Sequence, residues 1–139
     1  MLEEFISKSM NDTIEFAKNF ADSLFAGDIV LLKGDLGAGK TVFVKAVTEK
    51  FSNGKSVAVS PTFTIVNSYD TNPVIHHFDL YRINDVSELD AIGAEEYFYS
   101  DAICFVEWPE RAEGYFLTKT INVEILKLND NERLIKVER

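Results

Sequence analysis

Gly34, Gly39, Lys40 and Thr41 stand in the order G-x-x-x-x-G-K-T within GDLGAGKT, residues 34 to 41. Each residue type suits one task in holding a polyphosphate. Glycines keep side chains out of a tight loop, so that successive backbone N–H groups can close around anionic oxygens. The lysine brings a mobile cation to the β- and γ-oxygens, and the threonine hydroxyl is a hard oxygen ligand for magnesium. The expected cradle runs over Asp35, Gly37, Ala38, Gly39, Lys40, Thr41 and Val42, because a helix beginning near Thr41 aims its dipole and unsatisfied amides at the same oxygens. A glycine-rich hairpin could match this spacing by accident. The context argues otherwise: Ile29 to Leu32 reads as a buried strand and Thr41 to Phe51 as a helix, the flanks that a phosphate-binding loop requires.

Magnesium on a phosphate also needs a carboxylate, usually at the end of a neighbouring apolar strand. Glu107 directly follows Ala102 to Val106, and Asp79 ends Val74-Ile75-His76-His77-Phe78. The first stretch is the more apolar and is the expected central strand. Glu107 is therefore the first choice for the metal shell or for positioning an attacking water, with Asp79 beside it. Strand alternation sends Trp108 to the face opposite Glu107 unless Pro109 has already ended the strand. His76 and His77 have no further Cys or His at ligand spacing, so no metal role is assigned to them. Arg82 and Arg111 could serve a phosphate, although solvation is the default for a surface arginine.

Ser60-Pro61-Thr62-Phe63-Thr64 lies where phosphate-binding-loop proteins keep a loop whose threonine senses the γ-phosphate. Asp90-Ala91-Ile92-Gly93 carries the letters of a D-x-x-G element but falls inside an expected helix, and no N-K-x-D guanine-reading sequence occurs. Adenine is the expected base.

These residues need elements to position them. Asp12-x-x-Glu15 resembles a capping box for a first helix over roughly 12 to 25. Asn53-Gly54 would stop the second helix, and Val57 to Val59, Thr62 to Tyr69 and Val74 to Leu80 read as strands. Ser87 starts a third helix carrying Leu89, Ile92 and Tyr97. Thr120 to Leu128 and Arg133 to Val137 flank Asn129-Asp130-Asn131, a hairpin turn. The expected fold is α/β, a three-layer P-loop NTPase-like domain with a mixed central sheet and antiparallel C-terminal strands.

Composition sets the outer limits. The 139 residues, 46% hydrophobic, are enough for one domain with a real core and contain no linker or repeat. No window is apolar enough to span a membrane, and MLEEFISKSM does not read as a secretory signal. Cys104, the single cysteine, sits in an apolar strand as a buried thiol, and the cytoplasm is the expected compartment. A net charge of −9 without a basic block argues against a free-standing nucleic-acid binder, so any role near nucleic acid would need a more basic protein partner.

Taken in order, GDLGAGKT, SPTFTIVNSY, HFDLYRI, ELDAIGAEEYF and FVEWPER resemble the bacterial TsaE family, formerly YjeE, from about Asp12 to Arg111. E-W-P-E-R after an apolar strand is more specific than the phosphate loop alone. The resemblance implies an ATPase working with TsaB and TsaD in making threonylcarbamoyladenosine on tRNA, with tRNA met only through that complex. It does not imply that this chain performs the carbamoyl transfer. ATP and Mg2+ are the implied ligands. By position, the family pattern puts Lys40 and Thr41 on phosphate and magnesium, Glu107 on the metal, and Asp79 and Trp108 beside them as activity-determining residues. Thr62 matches its switch-like threonine. Asn11 to Thr13 occupy the place of N-terminal residues near the nucleotide, and Arg133 is a further candidate from the C-terminal hairpin. Two other readings remain open: a nucleotide-gated interaction module in which hydrolysis is incidental, and a small P-loop kinase, for which the chain has little spare length.

Overall fold

The structure is a computed structural model and describes residues 1–52, 65–116 and 118–139. In chain order the elements are β1 Leu2–Ser7, α1 Met10–Ala21, β2 Ile29–Lys33, α2 Lys40–Ser52, β3 Val66–Tyr69 and β4 Ile75–Asp79. They continue with α3 Ser87–Ala91, α4 Ala94–Phe98, β5 Ile103–Glu107, a 3-10 turn at Pro109–Ala112, β6 Ile121–Lys127 and β7 Arg133–Glu138. The strands form one sheet in the order β1-β7-β6-β2-β5-β4-β3. Its centre, β6-β2-β5-β4, is parallel, and β3, β7 and β1 extend it antiparallel at the two sides. The expected mixed α/β sheet and the antiparallel β6–β7 hairpin are both present.

Burial follows the sequence pattern of each strand. All positions of β5 are buried, because both of its faces are covered. Ile103 and Phe105 join the core of Phe20 from α1 and Phe43, Val44 and Val47 from α2. Cys104 and Val106 join Leu89, Ala94 and Phe98 from α3 and α4. In β6, by contrast, Ile121, Val123 and Ile125 are buried while Asn122, Glu124 and Leu126 between them are not. The third layer therefore lies over the β2-β5-β4 part of the sheet, and the outer side of β6 keeps its polar alternation.

Three local expectations are revised. Helix α1 starts at Met10, two residues before Asp12, because Ser9 is the cap: its Oγ accepts from the Asp12 N–H at 3.1 Å, and Asp12 Oδ2 accepts from the Lys8 N–H at 2.9 Å. This reciprocal pair outcompetes the one expected from Asp12 and Glu15. The single helix expected from Ser87 is two short ones, divided at Gly93 in the left-handed region. Strand β1 was not expected from the sequence. Its residues are mostly exposed, and pairing with β7, Ile6 opposite Leu134, holds it in place. Finally, β3 is the described part of the strand expected over 62–69; the strand expected over 57–59, the loop 60–64 with Thr62, and the Asn53-Gly54 stop lie outside the described residues. Among the described residues, no helix is long and apolar enough to cross a membrane.

Candidate functional site

Strand register assembles the chemistry. In the parallel sheet Leu32 of β2 pairs with Glu107 of β5, and Glu107 pairs with Asp79 of β4. Two carboxylates thus end their strands at one level, beside the point where the glycine-rich loop leaves β2. The C-terminal edge of parallel strands is where open α/β sheets bind ligands. Gly34 is fixed there by close approach: a Cβ would lie 2.7 Å from the Ile125 carbonyl oxygen and 3.3 Å from the Ala38 Cβ. Gly39 is needed for a different reason. Its φ is +112°, a backbone conformation that side chains disfavour, although a Cβ would meet nothing within 4 Å. The Gly39 carbonyl then accepts from the Phe43 N–H at 3.0 Å, which begins the α2 ladder.

Lys40 is buried yet charged-group chemistry surrounds it. Its Nζ donates to the Gly34 carbonyl at 2.6 Å and lies 3.9 Å from the centre of the Trp108 ring. Burial lowers its pKa, opposed by the carboxylates of Glu107, Asp79, Glu110 and Asp35. Trp108 has left the strand: its φ of 58° and ψ of 48° are left-handed, so alternation ends at Glu107. Both side chains consequently line one cleft of about 300 Å³, together with Gly37, Gly39, Lys40, Thr41, Val42, Asp79, Leu36 and Tyr81. Tyr81 packs on Trp108 with ring centres 4.9 Å apart, and the Arg111 guanidinium sits 5.8 Å from the Tyr81 ring. Arg82 is exposed.

Asp79 accepts from the Tyr81 N–H at 3.0 Å. Its pKa is raised chiefly by burial and also by the Glu107 charge, against that hydrogen bond and the pull of His77 and Lys40. Glu107 is itself buried, and its Oε2 lies 2.5 Å from His77 Nε2. This pairing was not read from the sequence, although the signal existed: His77 is two residues before Asp79 on a strand and must share its face.

A second cleft, about 180 Å³, opens on the other side of the loop between Ser9, Met10, Thr13, Ala38, Gly39, Val42, Asp130, Asn131 and Arg133. Gly39 and Val42 line both clefts and divide them. Thr13 is buried, with its hydroxyl 2.7 Å from that of Ser7. Asn11 is exposed and does not line this cleft. Arg133 grips the loop from the hairpin, donating from Nε to the Ala38 carbonyl at 2.9 Å and from Nη2 to the Gly37 carbonyl at 3.4 Å. Asp35 is exposed, its carbonyl accepting from the Ala38 N–H.

The donor set fits a magnesium–polyphosphate pair. An anionic phosphate entering beside Asp79 and Glu107 meets like charge, which a divalent cation between them removes. Among the described residues no three His, Cys, Asp or Glu side chains form a metal cage. Magnesium on a nucleotide does not need one, since phosphate and water supply most of its ligands.

The profile of the family described as "Threonylcarbamoyl adenosine biosynthesis protein TsaE" matches residues 7–135. Proteins named tRNA threonylcarbamoyladenosine biosynthesis protein TsaE are similar over most of the chain. That of Rickettsia typhi is 38% identical, with 94% of this chain and 91% of the relative covered. That of Aquifex aeolicus is 38% identical, covering 100% and 98%, and that of Bacillus subtilis is 38% identical, covering 89% and 77%. The crystal structure of Bacillus subtilis YdiB superposes with a TM-score of 0.79 at 29% identity, covering 99% of this chain and 84% of that one. With the matched segment taking in both β-strand carboxylates and the whole glycine-rich loop, the chain belongs to the TsaE family.

Proposed function

We propose that this chain is an ATP-binding and ATP-hydrolysing subunit, one domain over residues 1–139, that supports N6-threonylcarbamoyladenosine modification of tRNA in the cytoplasm together with TsaB and TsaD. The convergence of Lys40, Thr41, Asp79, Glu107 and Trp108 on one cleft carries the reading. The names of its relatives support the pathway, and the net charge of −9 suits docking on a protein complex with tRNA left to the partners.

The phosphates lie in the cleft of Lys40 and Trp108, and the nucleoside reaches past Gly39 and Val42 toward Thr13. The loop amides surround the β-phosphate, and Lys40 leaves the Gly34 carbonyl and the Trp108 face to meet the β- and γ-oxygens. Thr41 and Glu107 would hold magnesium, which would offset the charge between the carboxylates and the phosphates. Glu107 or Asp79 orients the attacking water and accepts its proton at a carboxylate oxygen. Arg133 keeps its guanidinium on the loop carbonyls and so holds the cradle in shape. No arginine reaches the γ-phosphate position among these contacts, so turnover is slow until partners bind.

Phosphate release measured with and without TsaB and TsaD, in the native chain and in Lys40→Ala and Glu107→Ala, tests this. A loss of about 10²- to 10⁴-fold is expected for Glu107→Ala. Release unaltered in both variants contradicts it.

A further inference from the structure

The β4 face that carries Asp79 continues inward through His77 and Ile75. On the neighbouring strand the same face presents Glu107, Phe105 and Ile103, with His77 directly paired to Phe105. Apart from the two carboxylates at the rim, His77 is the polar member of this surface, and it is fully buried. Its two nitrogens have opposite fates. Nε2 meets Glu107 Oε2 at 2.5 Å. Nδ1 is buried and has no hydrogen-bond partner among the described residues.

Packing alone does not account for an imidazole here. Ile75, Ile103 and Phe105 show what the face otherwise accepts, and a desolvated nitrogen without a partner is a net cost that an apolar side chain would avoid. What the imidazole adds is one bond. A carboxylate has no proton to give, so Nε2 carries the hydrogen. That bond occupies Oε2 and fixes the rotation of the carboxyl plane. Oε1, which has no hydrogen bond among the described residues, is the oxygen left for the cleft that Glu107 lines.

We propose that His77 is a positioning residue for Glu107: its Nε2–H clamps one carboxylate oxygen so that the other faces the cleft, where it would hold magnesium or orient the attacking water. The proposal rests on the reading of Glu107 given above. Buried groups that orient metal-ligating or water-orienting side chains characteristically alter activity or metal affinity by about 10- to 100-fold when removed.

The test compares His77→Leu, which fills the space without a donor, with His77→Gln, whose amide N–H can take the place of Nε2–H. Single-turnover phosphate release, magnesium-free nucleotide affinity, thermal unfolding and the imidazole 15N spectrum are read together. His77→Leu should release phosphate about 10- to 100-fold more slowly with magnesium-free nucleotide binding intact. His77→Gln should recover most of the rate while melting no higher than His77→Leu, so that activity and stability rank in opposite orders. In the native protein His77 should show a protonated Nε2, and Glu107→Gln should shift the Nε2 signal.

Equal impairment of the two variants, or rates that simply follow melting temperature, overturns the proposal. Should His77→Leu fail to fold, an Nε2 signal indifferent to Glu107→Gln overturns it instead. If Glu107→Gln is inactive but His77→Leu is not, the positioning role alone fails. If Glu107→Gln releases phosphate at the native rate, the reading of Glu107 fails and takes this role with it.

Discussion

The Lys40 ammonium rests 3.9 Å from the centre of the Trp108 ring while donating to Gly34, so the cation proposed for the phosphate is held by the protein until a stronger acceptor arrives. A polyphosphate offers several charged oxygens in place of one carbonyl and a ring face. Trp108 is the chain's single tryptophan, which makes its emission a direct report on this exchange. Titration with ADP or ATP should change Trp108 fluorescence saturably, and Lys40→Met should alter the starting emission and abolish the response. An unchanged spectrum at saturating nucleotide contradicts the exchange.

Gly34→Ala places a Cβ 2.7 Å from the backbone oxygen of Ile125. A backbone atom in a paired strand cannot swing aside as the end of a side chain can, so the loop or β6 must shift. A stability loss of about 1 to 3 kcal/mol is expected, together with weakened nucleotide binding. Urea unfolding with an unchanged midpoint contradicts this.

Asp79 gives a stability prediction with a definite sign. Burial raises its pKa, so the folded chain holds the proton more tightly than the unfolded chain does. The associated stability is fully present below the ordinary carboxylate pKa and is lost as pH rises through the raised value. At neutral pH the ionised side chain is therefore a burden on the unliganded fold. Asp79→Asn keeps an acceptor for the Tyr81 N–H and removes the charge. It should be more stable than the native chain at neutral pH, lose that advantage in acid, and release phosphate more slowly. Denaturant midpoints across a pH series check the crossover, and a destabilised Asn variant at neutral pH contradicts it.

The cleft was largely legible in the sequence because its parts are local. A strand, a glycine-rich turn and a helix are consecutive, and Glu107 ends the most apolar run, which is why it lies beside β2. The parts that escaped depend on partners distant in the chain. Residues 2 to 7 carry no clean alternation and become β1 only by pairing with β7. The separation of 30 positions from His77 to Glu107 is closed by sheet register alone. Trp108 could be placed either way from sequence, and its left-handed backbone decided it. The helix begins at Met10, and the phase this sets leaves Asn11 outside while Thr13 turns inward.

Calorimetric titration with a non-hydrolysable ATP analogue in Mg2+, for the native chain and Lys40→Ala, tests most directly whether the glycine-rich loop holds a polyphosphate. One saturable site per chain is expected, weakened by about 10- to 100-fold when the ammonium and its charge-assisted hydrogen bonds are removed. No heat with the native chain, or equal affinity in the two proteins, contradicts it.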